Sequence, residues 1–332
     1  MPKTEDVRPE TINRLRNQAE LALAMMAGMQ LDVFTPLRDG PLRLESIAAA
    51  LDVDAEKLSA VMFALVAGGL LEHENGVFSN TEEVDAFLVK GRPNYVGGVA
   101  GNLAFRWGAI MNTAESIRTG VPQAKQDYGE DDPESLERFL RGLQDEAATN
   151  GRELAQLLDL SNAKTVADIG GGSGGLAIAL TALQPHLKAT VVELPGTTPI
   201  TRKIVAEADA GARVDTRDAD LLSGPLSGSY DVVVARALLQ VFSKADAAIV
   251  ARHIASAVAP DGSIHVIGRM LDDTRLAPLG SVGFNLLTLN IFDAGGAYTE
   301  GEYIEWLSAA GLQDCETVQL GAGYTMVSAR KP

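Results

Sequence analysis

Residues 165–193 read TVADIGGGSGGLAIALTALQPHLKATVVE. Five residues suited to a strand, Thr165 to Ile169, run into a glycine turn, Gly170 to Gly175. An apolar stretch of helical length follows, Leu176 to Leu183, and a second β-branched run ends at Glu193. Strand, tight turn, helix and strand form the unit from which parallel sheets covered on both faces are built. Glycines in such a turn let the backbone bend sharply and approach a ligand, and the helix start behind them carries partial positive charge. The stretch therefore predicts an α/β domain, a doubly wound Rossmann-like sheet, with a cofactor at the carboxyl end of its first strand.

The alternation continues downstream. ARVDT (212–216), YDVVVA (230–235) and SIHVIGRM (263–270) read as strands, with helical patterns at PITRKIVAEAD (199–209) and ADAAIVARHIASAV (245–258). The chain closes with a helix over 299–311 and two late strands, CETVQL and YTMVSAR. Upstream, residues 11–37, 44–51 and 54–67 are helical, and Asp54 suits the cap of the third helix. LLEHENGVFSN then places Asn75-Gly76 between two short apolar runs, a hairpin signal. Three helices and a hairpin describe a winged helix. After Pro93 the chain is mostly helical, with a charged loop QDYGEDDPES and one or two helices from Glu134 to Leu158. The expected organisation is a winged-helix domain over 1–92, a helical linker over 93–158 that contributes to the acceptor pocket, and a cofactor-binding domain over 159–332.

At 332 residues the chain exceeds what one core usually serves. It is 46% hydrophobic and 22% charged, and no run approaches the apolar length of a membrane span. Cys315 is the single cysteine, so neither an intrachain disulfide nor a multi-cysteine metal site is expected. The polar N-terminus lacks the apolar centre of a signal peptide, so a cytoplasmic protein is expected. The net charge of −16 argues against nucleic acid and anionic membrane as partners. Residues 31–90 hold four Lys/Arg against eleven Asp/Glu, so the winged helix is expected to serve structure or dimerisation rather than DNA.

The glycines alone leave the cofactor open. Gly170, Gly172 and Gly175 fit the spacing of a dinucleotide loop, and a structural glycine turn is a further reading. Asp168, just ahead of them, tilts the choice: a carboxylate there suits a ligand with a cationic amino group, as S-adenosylmethionine (SAM) has. A pyrophosphate has no use for it. Glu193 ends the second strand, where an acid takes both hydroxyls of a ribose, in either cofactor.

Here the chain resembles the class I SAM-dependent methyltransferases of the O-methyltransferase type, over nearly its whole length. VADIGGGSGG is similar to that family's first motif and VVELPG to its second, and RDADLL resembles the stretch that holds adenine. The resemblance implies a winged-helix dimerisation domain, a homodimer, and SAM as cofactor with S-adenosyl-L-homocysteine as product. It implies Asp168, Gly170 and Gly172 around the methionine part, Glu193 on the ribose, Asp220 and Leu221 at the adenine, and Arg236 beside the cofactor.

Members that methylate phenols carry a histidine base four residues after that basic position. A phenol with a pKa near ~10 must lose its proton to attack. This chain has Gln240 there, in R236-A-L-L-Q-V-F242, and Gly268 and Ala297 where the family has supporting acids. Gln240 positions but does not act as a base. His73, His186, His253 and His265 all suit structural roles. A thioether needs no base, so the resemblance narrows to a bacterial branch that S-methylates 4-methylthio-2-hydroxybutyrate on the route to dimethylsulfoniopropionate. Methylation of a phenol or other hydroxyl, with Tyr298 or Asp293 as base, stays open. For the acceptor, Arg106, Arg141 and Tyr298 are candidate donors. Phe105, Trp107, Phe139 and Phe292 are candidate walls, and Asn285 and Asn290 are candidate polar contacts on the helical stretch 284–290.

Overall fold

The computed structural model describes residues 7–97, 100–125 and 132–332. The chain divides into two compact units that meet in sequence between Gly108 and Ala109, so the expected linker 93–158 is shared between them.

The first unit begins with α1 (Glu10–Leu31), which ends at Asp32 in the left-handed conformation. A 3-10 turn over Thr35–Asp39 follows, so the helix expected over 11–37 is broken by that cap. Next come α2 (Leu44–Leu51) and α3 (Ala55–Ala67), and the Asp54 side chain accepts from the Lys57 amide as the cap of α3. The hairpin β1 (Leu71–Glu74) and β2 (Val77–Asn80) turns through Asn75 and Gly76, both at positive φ, the pairing its twist requires. Val33, Phe34, Ile47, Met62, Leu65 and Phe78 fill the core. Helices α4 (Glu82–Phe87) and α5 (Ala100–Ile110) follow, the latter running across the boundary into the second unit. This is the expected winged helix.

The second unit is built on seven strands. They are β3 (Thr165–Ile169), β4 (Lys188–Glu193), β5 (Val214–Asp218), β6 (Tyr230–Arg236), β7 (Val258–Gly268), β8 (Gln313–Gln319) and β9 (Thr325–Arg330). Their order is β5-β4-β3-β6-β7-β9-β8. The first five are parallel, and β9 and β8 are antiparallel, so the doubly wound sheet carries an antiparallel edge. Alternate side chains divide between two cores. Ala167, Ile169, Val233, Ala235 and Val266 pack under α10 (Lys244–Ala255) and α12 (Glu300–Ala309). Val166, Val232, Val234 and Ile267 pack under α7 (Pro133–Leu157) and α8 (Gly175–Leu183). Near-continuous Val, Ile and Ala on both faces is what a covered parallel sheet demands.

Two further helices, α6 (Thr113–Thr119) and α11 (Leu279–Ile291), pack on each other, and α9 (Thr198–Glu207) lies over β4 and β5. Asp132 caps α7 by accepting from the amides of Glu134 and Ser135; the rest of the expected charged loop, residues 126–131, lies outside the described residues. At Gly175 a Cβ would stand 2.6 Å from the Gln144 carbonyl, so α7 and α8 meet backbone to backbone. That contact fixes α7 beside the glycine turn. No helix among the described residues is long and apolar enough to cross a membrane.

Candidate active site

The strand order places the expected site residues along one edge. Asp220 follows β5, Glu193 ends β4, Asp168 lies in β3, Arg236 ends β6 and Gly268 ends β7. Successive strands step about 4.8 Å, so this carboxyl edge spans about 19 Å from β5 to β7. The sheet changes direction between β3 and β6, where open α/β sheets bind their ligands.

Asp168 is fully buried, and neither carboxylate oxygen has a hydrogen-bond partner among the described residues. The Ala177 amide points at it from the first turn of α8 without completing a bond. Burial pushes its pKa up to about 7; the Ala177 dipole and the Arg236 charge oppose that rise, and Glu193 adds to it. A buried carboxylate without a partner is a place for a cation. An ammonium group fits it, and an anionic pyrophosphate does not. Gly170, Gly172 and Gly174 all hold positive φ, which bends the loop over this carboxylate.

Glu193 does more than the sequence suggests. Its Oε1 accepts from the Gly172 amide (2.9 Å) and its Oε2 from the Leu194 amide (3.0 Å). It thus ties the glycine loop to the end of β4. Burial raises its pKa while the two amides pull it down. Thr201 of α9 adds a second tether, donating to the Gly172 carbonyl at 2.6 Å, which the sequence did not signal. Asp220 accepts from the Leu222 amide and the Ser223 hydroxyl, and the hydroxyl holds its pKa low. Leu221 beside it is buried.

Arg236, at the end of β6, is held by α7 and by Tyr324. Its Nε donates to Asn150 Oδ1 (2.7 Å) and its Nη2 to the Tyr324 hydroxyl (3.0 Å). Glu146 of α7 lies 3.4 Å away. Asn150, Glu146 and Tyr324 were not legible in the sequence, because they come from α7 and from the residue just before β9, far along the chain.

The three positions that lack the expected base and acids converge. Gln240 sits in a 3-10 turn after β6, 6% exposed, and its carbonyl accepts from the Gly296 amide (2.9 Å), next to Ala297. Its side-chain Oε1 is buried without a hydrogen-bond partner among the described residues. A Cβ on Gly268 would stand 3.5 Å from that oxygen and 3.2 Å from the Tyr303 hydroxyl. Tyr303 of α12 thus borders the space a longer side chain at 268 would use. Burial raises its pKa, so it stays a neutral donor.

The expected acceptor residues of this unit are engaged elsewhere. Arg141 bonds Glu137 and Glu207 on the surface of α7 and α9. The Tyr298 hydroxyl donates to the Phe242 carbonyl at 2.6 Å, and burial raises its pKa, so it is no base at neutral pH. Asp293 pairs with Lys125. Asn290 is fully buried and bonds Ser116, Thr113 and the Leu286 carbonyl, which clamps α11 to α6. Asn285 Oδ1 accepts from the Ala297 amide. Phe139 packs with Leu136, Leu140, Ile200 and Ile204, and Phe292 with the core of α11. Each of these side chains has a partner within its own unit. Phe105, Arg106 and Trp107 lie on α5 in the first unit.

Residues 116–313 match the O-methyltransferase domain model and residues 18–90 the O-methyltransferase dimerisation domain model. The chain is 30% identical over 318 residues to the tetracenomycin polyketide synthesis 8-O-methyl transferase TcmO of Streptomyces glaucescens, covering 93% of each. It is 29% identical over 311 residues to 3-hydroxy-5-methyl-1-naphthoate 3-O-methyltransferase of Streptomyces sahachiroi, covering 90% of this chain and 88% of the other. The structure of human N-acetylserotonin methyltransferase in complex with SAM superposes with a TM-score of 0.78 at 25% identity, covering 100% of this chain and 99% of that one. None of these relatives is described as acting on a thioether, so the expected dimethylsulfoniopropionate branch gains no support. A buried carboxylate suited to a cation, a loop tied down by Glu193 and this likeness agree: the chain belongs to the O-methyltransferase family with its dimerisation domain, and it is a SAM-dependent methyltransferase.

Proposed function

We propose that this protein O-methylates an acidic hydroxyl on a small aromatic natural product, and that it works as a homodimer. The observation that carries the oxygen over the sulfur is Gln240 Oε1, buried after β6 and without a partner among the described residues. A buried acceptor left unmet costs about 1–3 kcal/mol. A hydroxyl of the substrate donates to it, whereas a thioether has no hydrogen to give. The likeness to enzymes named for a polyketide and a hydroxynaphthoate supports the aromatic class.

SAM supplies a methyl group on a sulfonium, open to attack by an oxygen lone pair. The chain's own part is to bind and orient. Asp168 takes the amino group, Glu193 the ribose, and Asp220 with Leu221 the adenine. Gln240 holds the acceptor hydroxyl by its hydrogen and orients the oxygen. An amide takes no proton at neutral pH, so the hydroxyl keeps its hydrogen on Gln240 until its oxygen attacks and the proton passes to water, which suits phenols acidified by neighbouring carbonyls. The balance is one hydroxyl and one SAM to one methyl ether, one S-adenosylhomocysteine and one proton.

For the dimer, α1 exposes Ile12, Leu15 and Leu23, and its unit matches the dimerisation model. Light scattering of the purified protein should give twice the chain mass.

The function is tested with labelled SAM and a panel of hydroxyanthraquinones, hydroxynaphthoates, simple phenols and methylthio acids. Label is expected in methyl ethers of the acidic aromatics. Label in a methylsulfonium product instead would overturn the reading.

A further inference from the structure

Arg236 and Arg269 share one carboxylate. Arg236 Nη2 stands 3.4 Å from Glu146 Oε2 and Arg269 Nη2 stands 3.3 Å from Glu146 Oε1. The two arginine side chains are 9% and 14% exposed. Two guanidinium groups against one carboxylate leave a unit of positive charge at the carboxyl ends of β6 and β7. Tyr324 does not offset it: burial raises its pKa, and it stays neutral between the two guanidinium groups, 4.9 Å and 4.8 Å from its ring centre. Charge enclosed in this way is unfavourable: among the described residues Glu146 is the one carboxylate in ion-pair contact with either guanidinium, and Asp168, which also feels Arg236, has its pKa raised by burial.

The two arginines differ in what they have left to give. Arg236 spends Nε on Asn150 and Nη2 on Tyr324. Among the described residues Arg269 makes one hydrogen bond, from Nη2 to Glu146, and its Nε and Nη1 make none. Its plane is held by the Tyr324 ring and by Phe284 of α11, 5.8 Å to the ring centre. It comes directly after β7, at the carboxyl edge of the sheet. A guanidinium fork held rigid with free donors matches a planar oxyanion.

We propose that Arg269 receives an oxyanion of the methyl acceptor, a carboxylate or ionised hydroxyl set apart from the oxygen that is methylated. This rests on the hydroxyaryl reading of the acceptor and narrows it to anionic aromatics. Glu146 then sets the strength of the site, because it neutralises one of the two cations.

The test measures binding to the protein loaded with S-adenosylhomocysteine, using 3-hydroxy-2-naphthoate and its uncharged counterpart 2-naphthol as probes. The naphthoate should bind the wild type about tenfold more tightly than 2-naphthol, as a charged hydrogen bond implies. Arg269→Met should remove that preference and leave S-adenosylhomocysteine affinity unchanged. Arg269→Lys should restore part of it. Glu146→Gln should tighten the naphthoate and not 2-naphthol, a gain that a merely structural ion pair would not produce. Equal effects on both probes, a Glu146→Gln loss, or no preference in the wild type would overturn the proposal. A parallel fall in S-adenosylhomocysteine affinity would overturn it too, by assigning the guanidinium to the cofactor's carboxylate. Binding requires no methyl transfer, so a silent transfer assay bears on the hydroxyl reading alone.

Discussion

Asp168 lies directly against Gly171: a Cβ added to Gly171 would stand 2.6 Å from both the carboxyl carbon and Oδ2 of Asp168. The loop backbone thus roofs the carboxylate, which accounts for its burial and its high pKa. Gly171→Ala should push the loop off β3 and weaken SAM binding about tenfold or more, with a lower melting temperature. Calorimetry with SAM and a thermal melt check it; unchanged affinity would show that the loop has room to spare.

Binding of SAM should release a proton. Below pH 7 most free enzyme carries a neutral Asp168, whereas the cofactor's ammonium calls for the ionised form. Between pH 5.5 and 6.5 the association constant should rise about tenfold per pH unit. Calorimetry in buffers of different ionisation enthalpy should show about one proton released. Asp168→Asn should abolish both the proton release and most of the affinity.

Two buried groups oppose each other in the stability of the free enzyme. Asp168 has a raised pKa, so its folded state binds more protons, and stability falls as pH rises from the usual carboxylate range through 7. His265, buried in β7 between Ser263 and Ser328, is pushed down to about 4, first by burial and then by the Arg330 charge. Its share of stability is present above pH 6.5 and is lost as pH falls toward 4. From pH 7 to 5 the two should nearly cancel. Asp168→Asn should unmask acid lability across that window, and His265→Gln should make the free enzyme more stable toward pH 5. Melting curves at four pH values decide it; parallel curves for all three proteins would refute the assignment.

The pH dependence of transfer should follow the substrate. A histidine base would place the rising limb at one pH for every acceptor. With Gln240 in that place, the limb should move with the acceptor's own pKa across a series of substituted phenols. Gln240→Leu should lower kcat about tenfold without moving the limb, as loss of one positioning hydrogen bond implies. A limb fixed for all acceptors would point to an unrecognised base.

Asn290 should matter for stability and not for specificity. Asn290→Leu leaves Ser116 and Thr113 without their partner and should cost about 1–3 kcal/mol. Relative rates across the acceptor panel should stay as they are. A changed preference at unchanged stability would return Asn290 to the pocket wall.

Much was legible in the sequence where the chemistry is local. Asp54 caps its helix, Asn75-Gly76 turns its hairpin, and Asp168, the glycines and Glu193 lie within 26 residues, joined by one strand, turn, helix and strand. Hydrophobic period and turn chemistry act over a few residues, so those elements followed from the order of residues alone. The absence of a base at Gln240, Gly268 and Ala297 was legible too, as an absence. Tertiary structure decided which polar side chains remain free. Arg141, Tyr298, Asn285 and Asn290 all looked able to meet a substrate, and each is satisfied by a partner, most of them far along the chain, that only folding brings close. Conversely, Arg269, Glu146 and Tyr324 come from three distant segments, and the charge excess they enclose exists only when α7, the end of β7 and the start of β9 meet. A hydrogen bond or ion pair is settled by distance in space, and a linear order of residues does not contain that distance.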